Sequence, residues 1–365
     1  MLDLPYVTND HQCGGSSQGS YDSFSLSASS TFQKHIPHIF CSGHSRLKLT
    51  LLQSRLNSPS HFKSRRQKSG TMAETHHFHA HKLFSMDGKV AVVTGGGSGI
   101  GLMATQALAA NGAKVYIVGR NVDKLKTASK EHEPDHGEII PIGDVDVTNK
   151  DDLEKLVQEI QKKEKCIHLL VANAGVPGPK AEPDKSDAGE LKDKLWKGES
   201  VQEWNDTYST DVTSVYFTTV AFLPLLQAAI EPQGSGERFS SSVITTSSMS
   251  GIMRHAQGHF AYNTAKGATV HLTKLMSAEF MKVGVRVNSI APGYFPSEMT
   301  AKSSDDRQKS DLPPEKVAEK GHVPQMRGGR DEEMGMAMLF LAKNTYVNGE
   351  ILAVDGGVLN MLAGR

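Results

Sequence analysis

The sequence predicts an α/β fold: a doubly wound sheet of seven parallel strands with helices on both faces, forming a single domain. Three observations carry this. From Gly88 onwards, short runs rich in Val and Ile alternate with longer helix-periodic stretches, as crossover connections between parallel strands require. The first of these runs, Lys89-Val90-Ala91-Val92-Val93, reads as a short buried strand. A glycine-rich turn, Gly95-Gly96-Gly97-Ser98-Gly99-Ile100-Gly101, separates the first run from the first long helix.

Taken in order, Lys89 to Val93 is the first strand, and an Ala/Leu-rich helix follows the glycine turn as far as Asn111. Lys114 to Val118 is the second strand and Glu138 to Ile142 the third. The third leads into Asp144-Val145-Asp146-Val147-Thr148, and an amphipathic helix begins at Asp151. His168 to Val171 is the fourth strand. A long mixed-charge connection, Val176 to Ser200, reads as irregular and precedes a helix over Glu203 to Ala229. Val243 to Thr246 is the fifth strand. After a polar, glycine-containing loop from Met253 to His259, an apolar-periodic helix runs through Phe280. Arg286 to Gly293 closes the sixth strand. Ala301 to Gln325, with Leu312-Pro313-Pro314, is a second irregular stretch, and loops of this length usually serve a site. The last helix spans Glu332 to Lys343, and Val354-Asp355-Gly356-Gly357 ends the seventh strand.

The 365 residues are 38% hydrophobic and 22% charged, the balance of a globular protein, and no apolar run is long enough for a membrane span. The formal net charge of zero hides an asymmetry. Residues 1 to 71 carry eight basic and three acidic residues, which makes them +5 and the rest −5. Rich in Ser, His and Gln and without a sustained period, residues 1 to 71 read as a disordered basic tail, with the folded domain over residues 72 to 365. The tail resembles a mitochondrial transit peptide in composition, yet its first basic residue is Lys34; a working chain that begins at Met72 is the alternative. No aromatic interleaving supports nucleic-acid binding by the tail. Of Cys13, Cys41 and Cys166 only the last lies in the globular part, so no disulfide framework is available there and a reducing, cytoplasmic compartment is expected. No metal site is expected.

The chemistry is carried by a few stretches. Glycines between a first strand and a helix let the backbone approach a pyrophosphate, whose charge then rests on the amides of the helix N-terminus. At the end of the second strand, where a carboxylate would accept both ribose hydroxyls of NAD, stands Gly119-Arg120-Asn121. A guanidinium there suits the 2′-phosphate of NADP. In Ala261-Tyr262-Asn263-Thr264-Ala265-Lys266, Tyr262 and Lys266 lie one helical turn apart on one face. A cation beside a phenol lowers its pKa from near 10 towards the range of a general acid/base.

With these motifs in this order, the chain resembles the short-chain dehydrogenase/reductase family over about residues 86 to 360, and within it 3-oxoacyl reductases of the rhamnolipid-pathway type. The resemblance implies a Rossmann-type fold and hydride transfer between NADP(H) and a carbonyl or secondary alcohol. It implies cofactor contacts from Thr94, Gly95, Ser98, Gly99, Ile100, Gly101, Arg120, Asp146, Val147, Asn173, Ala174, Gly175, Tyr262, Lys266, Pro292, Gly293 and Ser297. In Ser247-Ser248-Met249-Ser250-Gly251 it selects Ser248 to hold the carbonyl oxygen, with Tyr262 as proton donor and Lys266 lowering its pKa and binding the nicotinamide ribose. The family's relay asparagine falls on Asp211, an acid that accepts but does not donate when ionised. Met249, Ile252, Met253, Tyr294, Phe295 and Met299 would form an apolar wall beside the carbonyl. The leading expectation is a reductase of a ketone or 3-oxoacyl group, with a small-molecule substrate and a homodimeric or homotetrameric state. The alternatives are a polyol or sugar-acid dehydrogenase, and a catalytically inactive NADP-binding sensor or scaffold.

Overall fold

The computed structural model describes residues 75–230 and 239–362. The tail read over residues 1 to 71 lies outside the described residues. In chain order the elements are α1 (Ala80–Phe84), β1 (Val90–Thr94), α2 (Gly99–Ala110), β2 (Lys114–Val118), α3 (Val122–Glu131), β3 (Glu138–Ile142), α4 (Lys150–Gln161), β4 (Leu169–Ala172), α5 (Ala188–Gly198), α6 (Val201–Tyr208), a π-helical turn (Ser209–Thr213), α7 (Ser214–Ala228), β5 (Ser242–Thr246), α8 (Phe260–Glu279), β6 (Arg286–Pro292), α9 (Glu298–Ala301), α10 (Pro314–Ala318), α11 (Asp331–Lys343), β7 (Ile351–Val354) and α12 (Val358–Met361).

All seven strands are parallel, in the order β3-β2-β1-β4-β5-β6-β7. The chain winds outward from β1 in one direction, then returns to β4 and winds outward in the other. The crevice of the sheet therefore opens at the carboxyl ends of β1 and β4, beyond Thr94 and Ala172. The alternation of the strand decides what each face meets. Ala91 and Val93 pack with Leu102 and Leu108 of α2 and with Met334 and Met338 of α11. Val90 and Val92 pack on the other face with Leu156 and Ile160 of α4 and with Phe222 and Leu226 of α7.

Two stretches differ from the sequence reading. The helix expected over Glu203 to Ala229 is interrupted by the π turn at Ser209–Thr213, where one extra residue enters the turn and shifts the phase of everything after it. Upstream, α6 starts with a capping box: the Ser200 hydroxyl accepts from Glu203 N, and the Glu203 carboxylate accepts from Ser200 N. The connection expected to be irregular contains α5, started by the Asp187 carboxylate, which accepts from the amides of Gly189 and Glu190. Nothing in α5 is buried, so local capping rather than packing forms it.

Arg286, the first residue of β6, is 1% exposed. Its Nη1 donates to the carbonyls of Leu341, Asn344 and Val347, Nη2 to that of Ala342, and Nε to the Ser240 hydroxyl. It thereby satisfies carbonyls that the end of α11 leaves without helical partners.

Candidate active site

The crevice is framed by four chain segments that leave β1, β4, β5 and β6. Thr94, the last residue of β1, is their hub. Its hydroxyl accepts from the amides of Asn173 (3.0 Å) and Ala174 (3.1 Å) and donates to the Val171 carbonyl (3.4 Å). Asn173 returns the tie: its amide nitrogen donates to Thr94 O (3.1 Å) and Gly95 O (3.4 Å), and its amide oxygen accepts from the Thr246 hydroxyl (3.1 Å). The Asn173 side chain is thus committed to holding the glycine turn between β4 and β5. Gly101 is required by this packing, because a Cβ there would lie 2.1 Å from Gly95 O and 2.6 Å from Asn173 Nδ2.

The backbone of the turn leads straight into α2. Ser98 stands at its N-cap without a side-chain capping bond, and the first turn of α2 holds no acidic residue. The leading amides of a twelve-residue helix are left for an anion, and these residues fit the pyrophosphate of a dinucleotide. Ile100 turns inward and packs against the core. Ser297 caps α9 through Thr300 N (3.3 Å), and its Cβ would lie 3.0 Å from a Cβ at Gly99, so the segment after β6 lies against the turn. Lys124 Nζ of α3 meets Glu298 Oε1 of α9 at 2.5 Å, drawing the same segment across to the end of β2. Pro292 ends β6, and Gly293 N donates to Val354 O (2.8 Å).

Arg120 follows β2 and is exposed. The Asp146 carboxylate accepts from Thr148 N (2.9 Å) and Thr148 Oγ1 (2.7 Å). Those bonds, with a smaller pull from the Arg120 charge, hold its carboxyl below the usual range. Val147 beside it is buried.

On α8, Tyr262 and Lys266 share one face, with Lys266 Nζ 5.6 Å from the centre of the Tyr262 ring. Lys266 is 4% exposed and donates to Thr246 O (2.9 Å). Its Nζ also lies 3.5 Å from Oδ2 of Asp211, which is fully buried in the π turn. The other Asp211 oxygen accepts from Val176 N (2.8 Å), while Oδ2 has no hydrogen-bonded partner among the described residues. Gly175 makes room for the pair: a Cβ there would sit 2.9 Å from Asp211 Oδ1 and 3.3 Å from Lys266 Nζ. Burial pushes the Asp211 carboxyl up, against the opposing pull of Lys266 and the Val176 amide.

Among the neighbouring serines, the Ser247 hydroxyl donates to Ile290 O (3.1 Å) and accepts from Ser289 Oγ (2.8 Å), which commits it to the sheet. The Ser248 hydroxyl accepts from Ser250 N (3.1 Å), and the Ser248 side chain acts on Tyr262 to lower its pKa, the smallest of the influences on that group. The structure therefore brings Ser248, Tyr262, Lys266 and Asp211 together. It corrects one expectation: Lys266 does pull the Tyr262 pKa down, but burial of the phenol outweighs it and Asp211 adds to the rise, so the net direction is up.

The expected apolar wall is also corrected. Phe295, 2% exposed, is part of the main core, and Met249, 3% exposed, packs in a separate cluster with Val317, Val323 and Val358. Met253 is buried as well. These side chains are packed away rather than open to a substrate. Tyr294, expected as part of that wall, instead joins Gln257 and His322, which the sequence reading missed, in shared hydrogen bonds. Thr246 and Val176 were missed too, because they act through backbone atoms that any residue type would provide.

A family model described as short chain dehydrogenase matches residues 89–308. The short-chain dehydrogenase/reductase PhomF of Diaporthe leptostromiformis is 41% identical over 284 residues, covering 76% of this chain and 94% of that protein. The rhamnolipids biosynthesis 3-oxoacyl-(acyl-carrier-protein) reductase of Pseudomonas aeruginosa is 29% identical over 280 residues, covering 76% of this chain and 98% of its own. Among solved structures, the Pseudomonas aeruginosa RhlG/NADP active-site complex superposes with a TM-score of 0.62 at 28% identity, over 76% of this chain and 98% of that one. A family match across the parallel sheet and its crevice, together with a relative of this identity over most of both chains, means that the chain belongs to the short-chain dehydrogenase/reductase family, oxidoreductases acting on CH–OH or C=O groups with NAD(P).

Proposed function

We propose that the protein is an NADP-dependent reductase of a ketone or 3-oxoacyl carbonyl. The observation that carries this reading is the buried Lys266, anchored on Thr246 O and 5.6 Å from the Tyr262 ring, with Ser248 just past the end of the neighbouring strand. When bound, the nicotinamide would supply the hydride. Ser248 holds the carbonyl oxygen, and Tyr262 delivers the proton to it. Lys266, anchored on Thr246 O, favours the phenolate that remains and has donors left for a ribose hydroxyl. Asp211 orients Lys266 from below in place of a relay asparagine. The α2 N-terminus with Gly95, Ser98, Gly99 and Gly101 receives the pyrophosphate, Asp146 and Val147 flank the adenine side, and Ser297 and Gly293 border the nicotinamide.

Arg120 supports NADP over NAD, since a guanidinium can pair with a 2′-phosphate. The exposed Tyr216 on α7 and Leu275 on α8 support a homodimer or homotetramer formed through these helices. Among the described residues no helix is long and apolar enough to cross a membrane, which is compatible with a cytoplasmic enzyme. A second reading, oxidation of a polyol or sugar acid, is favoured by the polar Gln257–Tyr294–His322 group and by a gluconate 5-dehydrogenase of Gluconobacter oxydans at 31% identity over 280 residues.

The test is NADPH consumption over 3-oxoacyl thioesters, cyclic and aromatic ketones, with polyols and sugar acids offered alongside NADP, in the natural protein and in Tyr262→Phe. The expected result is ketone reduction that falls by 100-fold or more in the variant, the usual worth of a positioned general acid, while NADPH still binds. Activity confined to the polyols overturns the direction. No activity anywhere, with NADPH bound, replaces the reductase by a cofactor-binding sensor.

A further inference from the structure

Gln257, Tyr294 and His322 come from three different loops: the turn before α8, the segment after β6, and the stretch between α10 and α11. Gln257 Nε2 donates to the Tyr294 hydroxyl (3.1 Å) and lies 3.3 Å from His322 Nε2, while the Tyr294 hydroxyl lies 3.1 Å from that same imidazole nitrogen. His322 Nδ1 is 2.7 Å from the Lys320 carbonyl oxygen. A carbonyl only accepts, so Nδ1 carries the proton and Nε2 of the neutral ring is an acceptor. Nε2 has one lone pair; it receives the Tyr294 hydroxyl proton (3.1 Å), and the second amide proton of Gln257 points at the same nitrogen from the longer 3.3 Å. Turning the Gln257 amide over would set its oxygen against the imidazole lone pair. The amide and hydroxyl protons therefore all point into the three-membered ring of bonds. What it still offers is acceptors: Gln257 Oε1, which has no hydrogen-bond donor among the described residues, and one lone pair on the Tyr294 oxygen.

The group is built on loops that adjoin the site. Gln257 lies five residues before Tyr262, in the turn that leads into α8, and the Gly258 carbonyl accepts from Ala181 N (2.8 Å) in the connection after β4. The Tyr294 ring packs on the cluster that contains Met249, the residue next to Ser248. Lys320 Nζ lies 4.6 Å from the centre of that ring and helps to fix it. Gln257 also holds a left-handed backbone, φ 51°, which a non-glycine residue adopts only at a cost and which clusters at active sites and ligand clamps.

Resting on the active-site reading above, we propose that Gln257, Tyr294 and His322 form a subsite that receives a hydroxyl group of the substrate, apart from the carbonyl held by Ser248 and Tyr262. The substrate class is a hydroxylated ketone. A ketone with only hydrocarbon at that position would cover the acceptors and leave them unpaired, and a site built to bond a hydroxyl rejects the analogue that lacks it.

The test compares matched ketones: α-tetralone, cyclohexanone and octan-2-one, each beside its monohydroxylated isomers. Their binding to the enzyme with NADP⁺ present, which has no hydride to give a ketone, is measured by calorimetry for the natural protein, Tyr294→Phe and Gln257→Met. The expected result is at least one hydroxylated isomer binding tenfold or more tighter than its parent, with this ratio shrinking to near one in both variants. A structural role would weaken parent and isomer together and leave the ratio where it was, and that result overturns the subsite. A ratio near one throughout the natural protein, or no binding of any hydroxylated isomer, overturns it equally. Because binding is read without turnover, a ratio that behaves as expected in an enzyme that reduces none of these ketones counts against the reductase reading and leaves the subsite standing.

Discussion

Asp211 is a carboxylate with one strong hydrogen bond, from Val176, and a lysine 3.5 Å away on its other oxygen. Its charge acts on the neighbouring phenol: it raises the Tyr262 pKa, while Lys266 lowers it. Asp211→Asn keeps an oxygen for Val176 N and removes the charge, so Tyr262 should ionise at lower pH. The limb of the pH–rate profile that Tyr262 governs should move to the acid side, with the maximal rate unchanged or higher. An unmoved profile, or a large loss of rate, would show that the carboxylate has a role of its own. At the end of β2, Arg120→Ala should weaken NADPH binding tenfold or more relative to NADH, the usual worth of a charge-assisted contact; equal effects on the two cofactors, measured by fluorescence titration, would place the guanidinium in solvent. Tyr262 and Lys266 could be paired from the sequence because a helix sets residues four apart on one face, whereas Ser248 was singled out among neighbouring serines only through the family resemblance. Gln257, Tyr294 and His322 were not legible as a group. Their contact is made by three loops, and no local period connects them.

Elements were legible where one physical rule governs them from end to end. The first six strands match the expected ranges to within a residue or so, the seventh ends at Val354 rather than Gly357, and α11 begins one residue before its expected start. The π turn was not legible, because an inserted residue changes the phase of a helix without changing its composition, so Glu203 to Ala229 reads as one uninterrupted period. α5 was missed for a different reason. Its mixed charges suggested a solvated connection, and the only signal was Asp187 at its cap. At this scale Arg286 makes the sharpest prediction, since one buried side chain joins β6 to the end of α11. Arg286→Met fills much of the volume but leaves the Leu341 and Ala342 carbonyls without their donor, while Asn344 O keeps Val347 N and Val347 O keeps Asn288 Nδ2. Stability in urea unfolding should fall by about 3 kcal/mol or more, from the desolvated carbonyls that remain. A loss below about 1 kcal/mol would mean that water takes over the cap.

In the whole molecule, the doubly wound order follows from alternating strand and helix signals, and both faces of the sheet are covered by residues after Phe84. A chain beginning at Met72 should therefore melt at the same temperature as the full chain and keep its NADPH affinity; insolubility or lost affinity would assign the first 71 residues a structural part. What the order of elements did not reveal is how much the site depends on its last residues. Val358, Leu359 and Leu362 close the cluster that contains Met249, next to Ser248. Because a polypeptide emerges from the ribosome amino end first, this wall is synthesised after every strand of the sheet. A nascent chain can assemble the glycine turn and most of the sheet before the support behind Ser248 exists, so the enzyme should acquire its cofactor cradle earlier in synthesis than its competence.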